Sequence, residues 1–436
     1  MSQHVGFRLP RILLPRAGVD LHKWAVIACD QYTAEPAYWR RVEAEVGSAP
    51  SALRLIFPET HLGEPDAPAR ITAIHEAMRR YLDDHLLEPQ DGAVYVERTV
   101  GGRTRRGLML EVDLEHYDYG VSSNSLVRPT EGTIVERLAP RIEVRRDAAL
   151  ELPHILVLID DPEGMVIEPL AAQRGELRPL YATDLMLGGG ELRGFAVDAA
   201  RGERAAAALA ALGDAAAFVR RYGVAPGTPP LLFAVGDGNH SLATAKAIWE
   251  QTKARLGMNH PSRYALVEVE NIHDPALHFA PIHRLLFDVR GDLRGALRAA
   301  FGERVTITEA ASAAEMAARV GAVAAPRQAV GLVEPGPRFA VAELERPPAT
   351  LAVGSLQPVL DAFVAAGGAS EIDYIHGDDV LERLGTQPGH AGLHFAPLAK
   401  SELLRQVVRG GPLPRKTFSM GEAHEKRYYV EARRIR

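Results

Sequence analysis

The 436 residues carry a net charge of −6, with 47% hydrophobic and 24% charged residues. This composition fits a soluble globular protein with a sizeable core and excludes extended disorder. No long basic run appears, which excludes a sequence-independent grip on nucleic-acid phosphates. The single cysteine, Cys29, excludes an intrachain disulfide framework and a cysteine-built zinc cluster, and fits a reducing compartment, so a cytoplasmic location is expected. Residues 7–16 alternate arginine with apolar residues rather than building a signal peptide, and no run reaches bilayer-spanning length, so no membrane role is expected.

In chain order, residues 24–28 read as a buried strand that delivers Asp30 and Gln31 at its end. Thr33, Glu35 and Pro36 then open a helix through Trp39, Val42 and Val46. Asp30 is either a turn carboxylate or a site residue. Residues 69–88 predict a helix with Ile71, Ile74, Met78, Tyr81 and Leu82 on its core face. Two alternating runs, 94–100 and 108–112, flank Gly101-Gly102 and predict a hairpin, with Arg103, Arg105 and Arg106 facing water.

A loop rich in Ser, Asn and Gly over 118–127 leads into Arg128-Pro129-Thr130-Glu131-Gly132-Thr133. Thr133 and Glu136 have capping-box spacing for a following helix. Glu131 either complements that helix dipole or serves a site. Runs at 155–159 and 165–167 predict a second hairpin across Asp160-Asp161-Pro162-Glu163-Gly164, whose carboxylates suit loop chemistry better than a metal. A strand pair around Gly188-Gly189-Gly190 lacks the spacing of a Walker loop. Two alanine-rich helices, near 199–213 and 214–222, precede a connection marked by Pro226, Pro229 and Pro230.

The apolar strand 231–235 then runs straight into Gly236-Asp237-Gly238-Asn239-His240-Ser241. A helix leaves from near Ser241, with Leu242, Ala245, Ile248, Trp249, Thr252 and Leu256 down one side. Consecutive free N–H groups at a helix start carry partial positive charge, and glycines allow close backbone approach, so an anion such as phosphate is the natural guest. The same residue types are also ordinary punctuation between a strand and a helix. A carboxylate, an amide, an imidazole and a hydroxyl within five residues exceed what a turn requires.

Beyond this motif, 264–269 predicts a strand, and from about residue 288 short helices and strands alternate as a separate α+β unit. The expected division is therefore a core at 1–287 and a smaller region at 288–436. Of the sixteen histidines, His278 with His283 and His390 with His394 lie close in sequence. Neither pair has the spacing of a zinc-binding helix, and no built-in transition-metal site is expected. The basic residues Lys426, Arg427, Arg433, Arg434 and Arg436 read as a solvated terminus. No G-x-S-x-G elbow appears, and Cys29 has no nearby base, so acyl transfer lacks a candidate.

The stretch 236–245 resembles the D-G-x-H-R-x-x-A signature of the ParB/sulfiredoxin superfamily, which includes nucleotide-hydrolysing partition proteins, sulfiredoxin and free-serine kinases. The wider chain resembles domain-of-unknown-function family 1015 in Cys29-Asp30-Gln31-Tyr32, in the 128–133 block, and in Glu151-Leu152-Pro153-His154. Pro281-Ile282-His283-Arg284 and Asp373-Tyr374-Ile375-His376-Gly377 extend that resemblance.

These resemblances imply an α/β, mixed α+β fold built on a strand-loop-helix core, and a phosphotransferase that uses ATP or ADP with Mg²⁺ and a small, serine-like hydroxylated acceptor. Gly236, Gly238, Asn239 and Ser241 would cradle phosphate, with Arg128, Thr130 and Thr133 contributing from the second loop. His240 would neutralise developing charge, Asp237 would position Mg²⁺ or the acceptor, and Glu131 or Asp30 would take the acceptor proton. Ser241 departs from the signature's arginine, leaving that phosphate contact to Arg128, Arg141 or Lys246. A nucleotide or phosphometabolite binder without turnover, and a phosphatase or nucleotide hydrolase, remain alternatives. The sequence does not set the oligomeric state.

Overall fold

The computed structural model describes residues 6–436. Contacts divide it into two compact units: residues 1–277 with 407–411 and 421–436, and residues 278–406 with 412–420. Where the sequence suggested one boundary after 287, the contacts thus return the final residues to the first unit.

The first unit is organised on a mixed sheet in which the strand Phe233–Asp237 runs parallel to Val127–Pro129 and antiparallel to Leu156–Ile159. Tyr264–Asn271 follows on the far side of Leu156–Ile159 and pairs with Arg103–Asp113, which pairs in turn with Val94–Val100. Side chains alternate between the two sheet faces, and both faces are covered. Tyr95, Leu110, Val157, Val235 and Val267 pack with Trp249 and Leu209 on one side. Val96, Met109 and Leu266 pack with Trp39, Met78 and Tyr81 on the other. This double burial explains why Tyr264–Asn271 is buried at every position.

Several local expectations change. Asp20 accepts hydrogen bonds from the His22 and Lys23 N–H groups, so residues up to Trp24 form a short helix, and only Val26–Ile27 is strand. Thr133 and Glu136 do not cap a helix. A 3-10 turn, Val135–Arg137, precedes the helix Leu138–Arg146, whose first turn accommodates Pro140. The second hairpin is absent because the buried Asp161 carboxylate accepts the N–H groups of Met165 (2.7 Å) and Val166 (2.8 Å) and folds that stretch into a turn. Arg105 does not face water; its Nε lies 2.6 Å from an oxygen of the fully buried Glu270.

The basic terminus is the largest correction. Tyr428–Tyr429 pairs with Val26–Ile27, and Arg433–Arg434 pairs with Leu150–Glu151. Arg427, 2% exposed, binds the buried carboxylates of Glu268 and Glu431. Arg433, equally buried, meets Glu111 at 3.1 Å and Glu151 at 2.6 Å. Each arginine has a carboxylate because an unpaired charge would be prohibitively costly there.

The second unit has its own sheet, in the order Val305–Ala310, Arg338–Leu344, Gln328–Glu334, Ala391–His394, Phe279–Phe287 and Glu371–His376. Helices Leu293–Phe301 and Ala352–Ala365 supply core residues on one face, and Ala313–Ala322 and Asp378–Gly385 on the other. Among the described residues, no helix is long and apolar enough to cross a membrane.

Candidate functional site

The central strand ends at Asp237, Gly238 takes a left-handed conformation (φ 76°), and the helix Asn239–Leu256 begins at once, two residues earlier than expected. This is the strand-loop-helix that the motif predicted. The first N–H groups of any helix lack intrahelical acceptors, so this end remains a favourable place for negative charge.

The second loop arrives at the same end of the sheet. Thr130 donates both its N–H (3.2 Å) and its hydroxyl (2.7 Å) to the Val235 carbonyl, and Glu131 follows directly. The Ile134 N–H donates to His240 Nε2 at 3.3 Å, which ties the two loops together. In that bond Nε2 is the acceptor, which leaves Nδ1 as the donor side of the His240 ring.

Asp237 makes two contacts within the protein. Oδ1 accepts the Gly238 N–H at 3.0 Å, and Oδ2 lies 3.2 Å from Nζ of Lys426. Each oxygen keeps a further lone-pair direction and the side chain is 21% exposed, so Asp237 could still offer an oxygen to Mg²⁺. The Asn239 side chain holds Oδ1 out of solvent with no hydrogen-bond partner among the described residues, an acceptor suited to a ligand hydroxyl.

Asp30 enters from the other side. The Cys29 N–H donates to the Tyr429 hydroxyl at 3.1 Å, and that hydroxyl bonds His154 Nδ1 at 2.7 Å. A Cβ on Gly238 would stand 3.0 Å from the Ile155 Cα, so His154 and its neighbour link the Asp30 segment to the central loop. Glu59 donates its N–H to the Cys29 carbonyl and pairs its carboxylate with Arg141. Burial, reinforced by Asp30, raises the Glu59 pKa against the pull of Arg141. Burial also pushes the Cys29 thiol far up, so it is not a ready nucleophile.

The structure thus gathers Asp237, Gly238, Asn239, His240, Thr130 and Glu131 at one sheet end, with Gly236 and Ser241 in the same loop and first turn. It gives other work to the expected phosphate clamps. The buried Arg128 guanidinium binds the carbonyls of Ser125, Pro229 and Pro230, and burial alone lowers its pKa. The Thr133 hydroxyl is buried and has no hydrogen-bond partner among the described residues. Arg141 is held by Glu59, and Lys246 by the Leu114 carbonyl and Glu250. A cation that does reach the loop is Lys426, visible beforehand only as part of a basic tail.

Fold and loop geometry define a mixed α+β protein whose central strand turns directly into a helix at Gly238. The chain belongs to the DUF1015 family, a family of proteins of unknown function, whose model matches residues 13–363. No curated protein matches the sequence. Solved structures similar to it include a free serine kinase mutant in complex with AMP, 14% identical with a TM-score of 0.37, over 73% of this chain and 90% of that one. A conserved hypothetical protein from Pyrococcus furiosus matches at 13% identity and a TM-score of 0.35, over 74% of this chain and 95% of that one. C-terminally truncated SbnI from Staphylococcus aureus matches at 11% identity and a TM-score of 0.33, over 71% of this chain and 81% of that one. Scores this low carry no argument about activity.

Proposed function

We propose that the first unit binds a nucleotide by its phosphates at the start of the helix Asn239–Leu256 and transfers the terminal phosphoryl group to a small, serine-like hydroxylated metabolite. The observation that carries this reading is Lys426, an ammonium only 11% exposed and 3.2 Å from the Asp237 carboxylate, beside the helix start. A cation held in that place supplies the charge that the motif's arginine would bring and that Ser241 does not.

In the proposed reaction the acceptor hydroxyl oxygen bonds to the terminal phosphorus as the bond to the bridging oxygen breaks. Glu131 or Asp30 takes the hydroxyl proton, and the leaving oxygen carries its electron pair away on the nucleotide. Lys426 and the helix N–H groups stabilise charge on the phosphoryl oxygens, with the His240 Nδ1–H as a further donor. The Asn239 carbonyl would position a ligand hydroxyl.

Phosphorus NMR of the protein with ATP, ADP or pyrophosphate and a panel of hydroxylated metabolites tests the reading. A new phosphomonoester resonance supports transfer, and inorganic phosphate alone indicates hydrolysis. Shifted donor resonances without turnover indicate a binding protein, the reading favoured by the engagement of Arg128, Arg141 and Lys246 elsewhere. Unchanged resonances rule out all three.

A further inference from the structure

A separate cluster lies in the second unit. His283 sits on Phe279–Phe287 and His394 on Ala391–His394, strands that pair antiparallel with Arg284 opposite Leu393. Continuing that register sets the two histidines opposite each other. Asp378 opens the helix Asp378–Gly385, which follows the strand on the other side of Phe279–Phe287. Nε2 of His283 and Nε2 of His394 lie 2.8 Å and 3.2 Å from the same Asp378 oxygen. The imidazoles stack with centroids 4.7 Å apart, and all three ligand atoms fall within 4.8 Å of one another. Both histidines are buried, whereas the Asp378 side chain is 69% exposed.

We propose that His283, Asp378 and His394 bind one divalent transition-metal ion through the two Nε2 atoms and an Asp378 oxygen, with solvent filling the remaining positions. Two imidazoles and a carboxylate are the donor set of zinc and its neighbours, and hard ions such as Mg²⁺ are poorly matched to it. The donor separations are close to those around an ion with bonds of about 2.0–2.2 Å. Solvent reaches the cluster from the Asp378 side, which gives an ion a way in.

One contact opposes uptake. The Phe395 N–H donates to His283 Nδ1 at 3.1 Å, which keeps the ring proton on Nε2 and directs it at Asp378. Binding therefore moves that proton to Nδ1 and turns the Phe395 amide away. His394 shifts its proton likewise, since its Nε2 faces the same Asp378 oxygen, but its Nδ1 has no hydrogen-bond partner among the described residues to give up.

The test is titration of the chelator-stripped full chain with Zn²⁺ by calorimetry and with Co²⁺ by visible absorption. The expected result is one ion per chain, with d–d bands that disappear when Zn²⁺ displaces Co²⁺. His394→Ala and Asp378→Ala should each weaken uptake by at least about tenfold. Asp378 is exposed, so Asp378→Ala should keep the unfolding temperature of the stripped parent and carry the test even if His394→Ala does not fold. Absence of stoichiometric uptake, or parental affinity in a folded Asp378→Ala, would overturn the proposal and leave a hydrogen-bonded triad.

Discussion

Nζ of Lys426 stands 3.2 Å from Oδ2 of Asp237, so the C-terminal segment supplies the counter-ion of the central loop. In the absence of a ligand, Asp237 both holds Lys426 and repels an incoming anion. Asp237→Asn keeps an oxygen for the Gly238 N–H and releases Lys426. Without added divalent cations, the variant should bind ADP or pyrophosphate about tenfold more tightly, a gain of ~1.4 kcal/mol. A metal-ligand role for Asp237 requires the opposite sign, with a loss that appears when Mg²⁺ is present. Calorimetric titration with and without Mg²⁺ separates the two.

Glu131 and Asp30 are the two candidates for taking the acceptor proton. A general base acts mainly in the transition state, so Glu131→Gln should lower turnover by about 10²- to 10⁴-fold and leave nucleotide affinity within a few-fold of the parent. Transfer rates measured for Glu131→Gln beside Asp30→Asn decide the assignment. Full activity in Glu131→Gln moves the role to Asp30, and full activity in both variants removes base catalysis from the mechanism.

The terminal arginines make a prediction about stability. Arg427→Leu would leave the carboxylates of Glu268 and Glu431 buried without their cation, at a cost of about 3–5 kcal/mol. Urea unfolding should show this loss, whereas Lys426→Met should unfold close to the parent. A terminus that contributed little would give equal midpoints for Arg427→Leu and the parent.

Acid should act through Glu151. Burial raises its pKa, but Arg433 and Arg145 outweigh that effect and hold it below the ordinary 4.5. A carboxylate with a depressed folded-state pKa contributes stability that is present above the unfolded value and lost as pH falls through the folded one. Denaturation midpoints should therefore drop as pH falls below 4.5, the ordinary Glu151 value. Glu151→Gln should be less stable than the parent at pH 7 and flatter across that acid range. Parallel curves for the two proteins would contradict this.

The central turn was legible because its signal is local: an apolar strand, two glycines and a helix-periodic run occupy adjacent residues. The position of Thr130 beside Val235 was not, since parallel pairing leaves no mark on residues this far apart. Lys426, Arg427 and Arg433 were misread for a related reason. A basic terminal run normally stays in water, and the buried partners that reverse this, Glu268, Glu431, Glu111 and Glu151, are identified only once the sheet is assembled.

The expected use of Gly238 also needs revision. Its bare Cα faces the Ile155 backbone, so the residue is required for chain packing and for its left-handed φ. Gly238→Val would therefore disturb the fold before it tested a ligand. The Trp24 segment shows the opposite balance: Asp20 accepts the His22 and Lys23 N–H groups, and this local cap outweighs the short apolar run after it.

The most direct measurement is calorimetric titration of pyrophosphate or ADP into the parent, Lys426→Met and Lys246→Met. Lys246 lies on the helix Asn239–Leu256 but is occupied by the Leu114 carbonyl and Glu250, so it serves as the matched control. The account predicts saturable binding to the parent, a loss of about 10- to 100-fold in Lys426→Met from the missing charge-assisted contact, and near-parental affinity in Lys246→Met. No binding to the parent, or equal affinities in all three proteins, would contradict it.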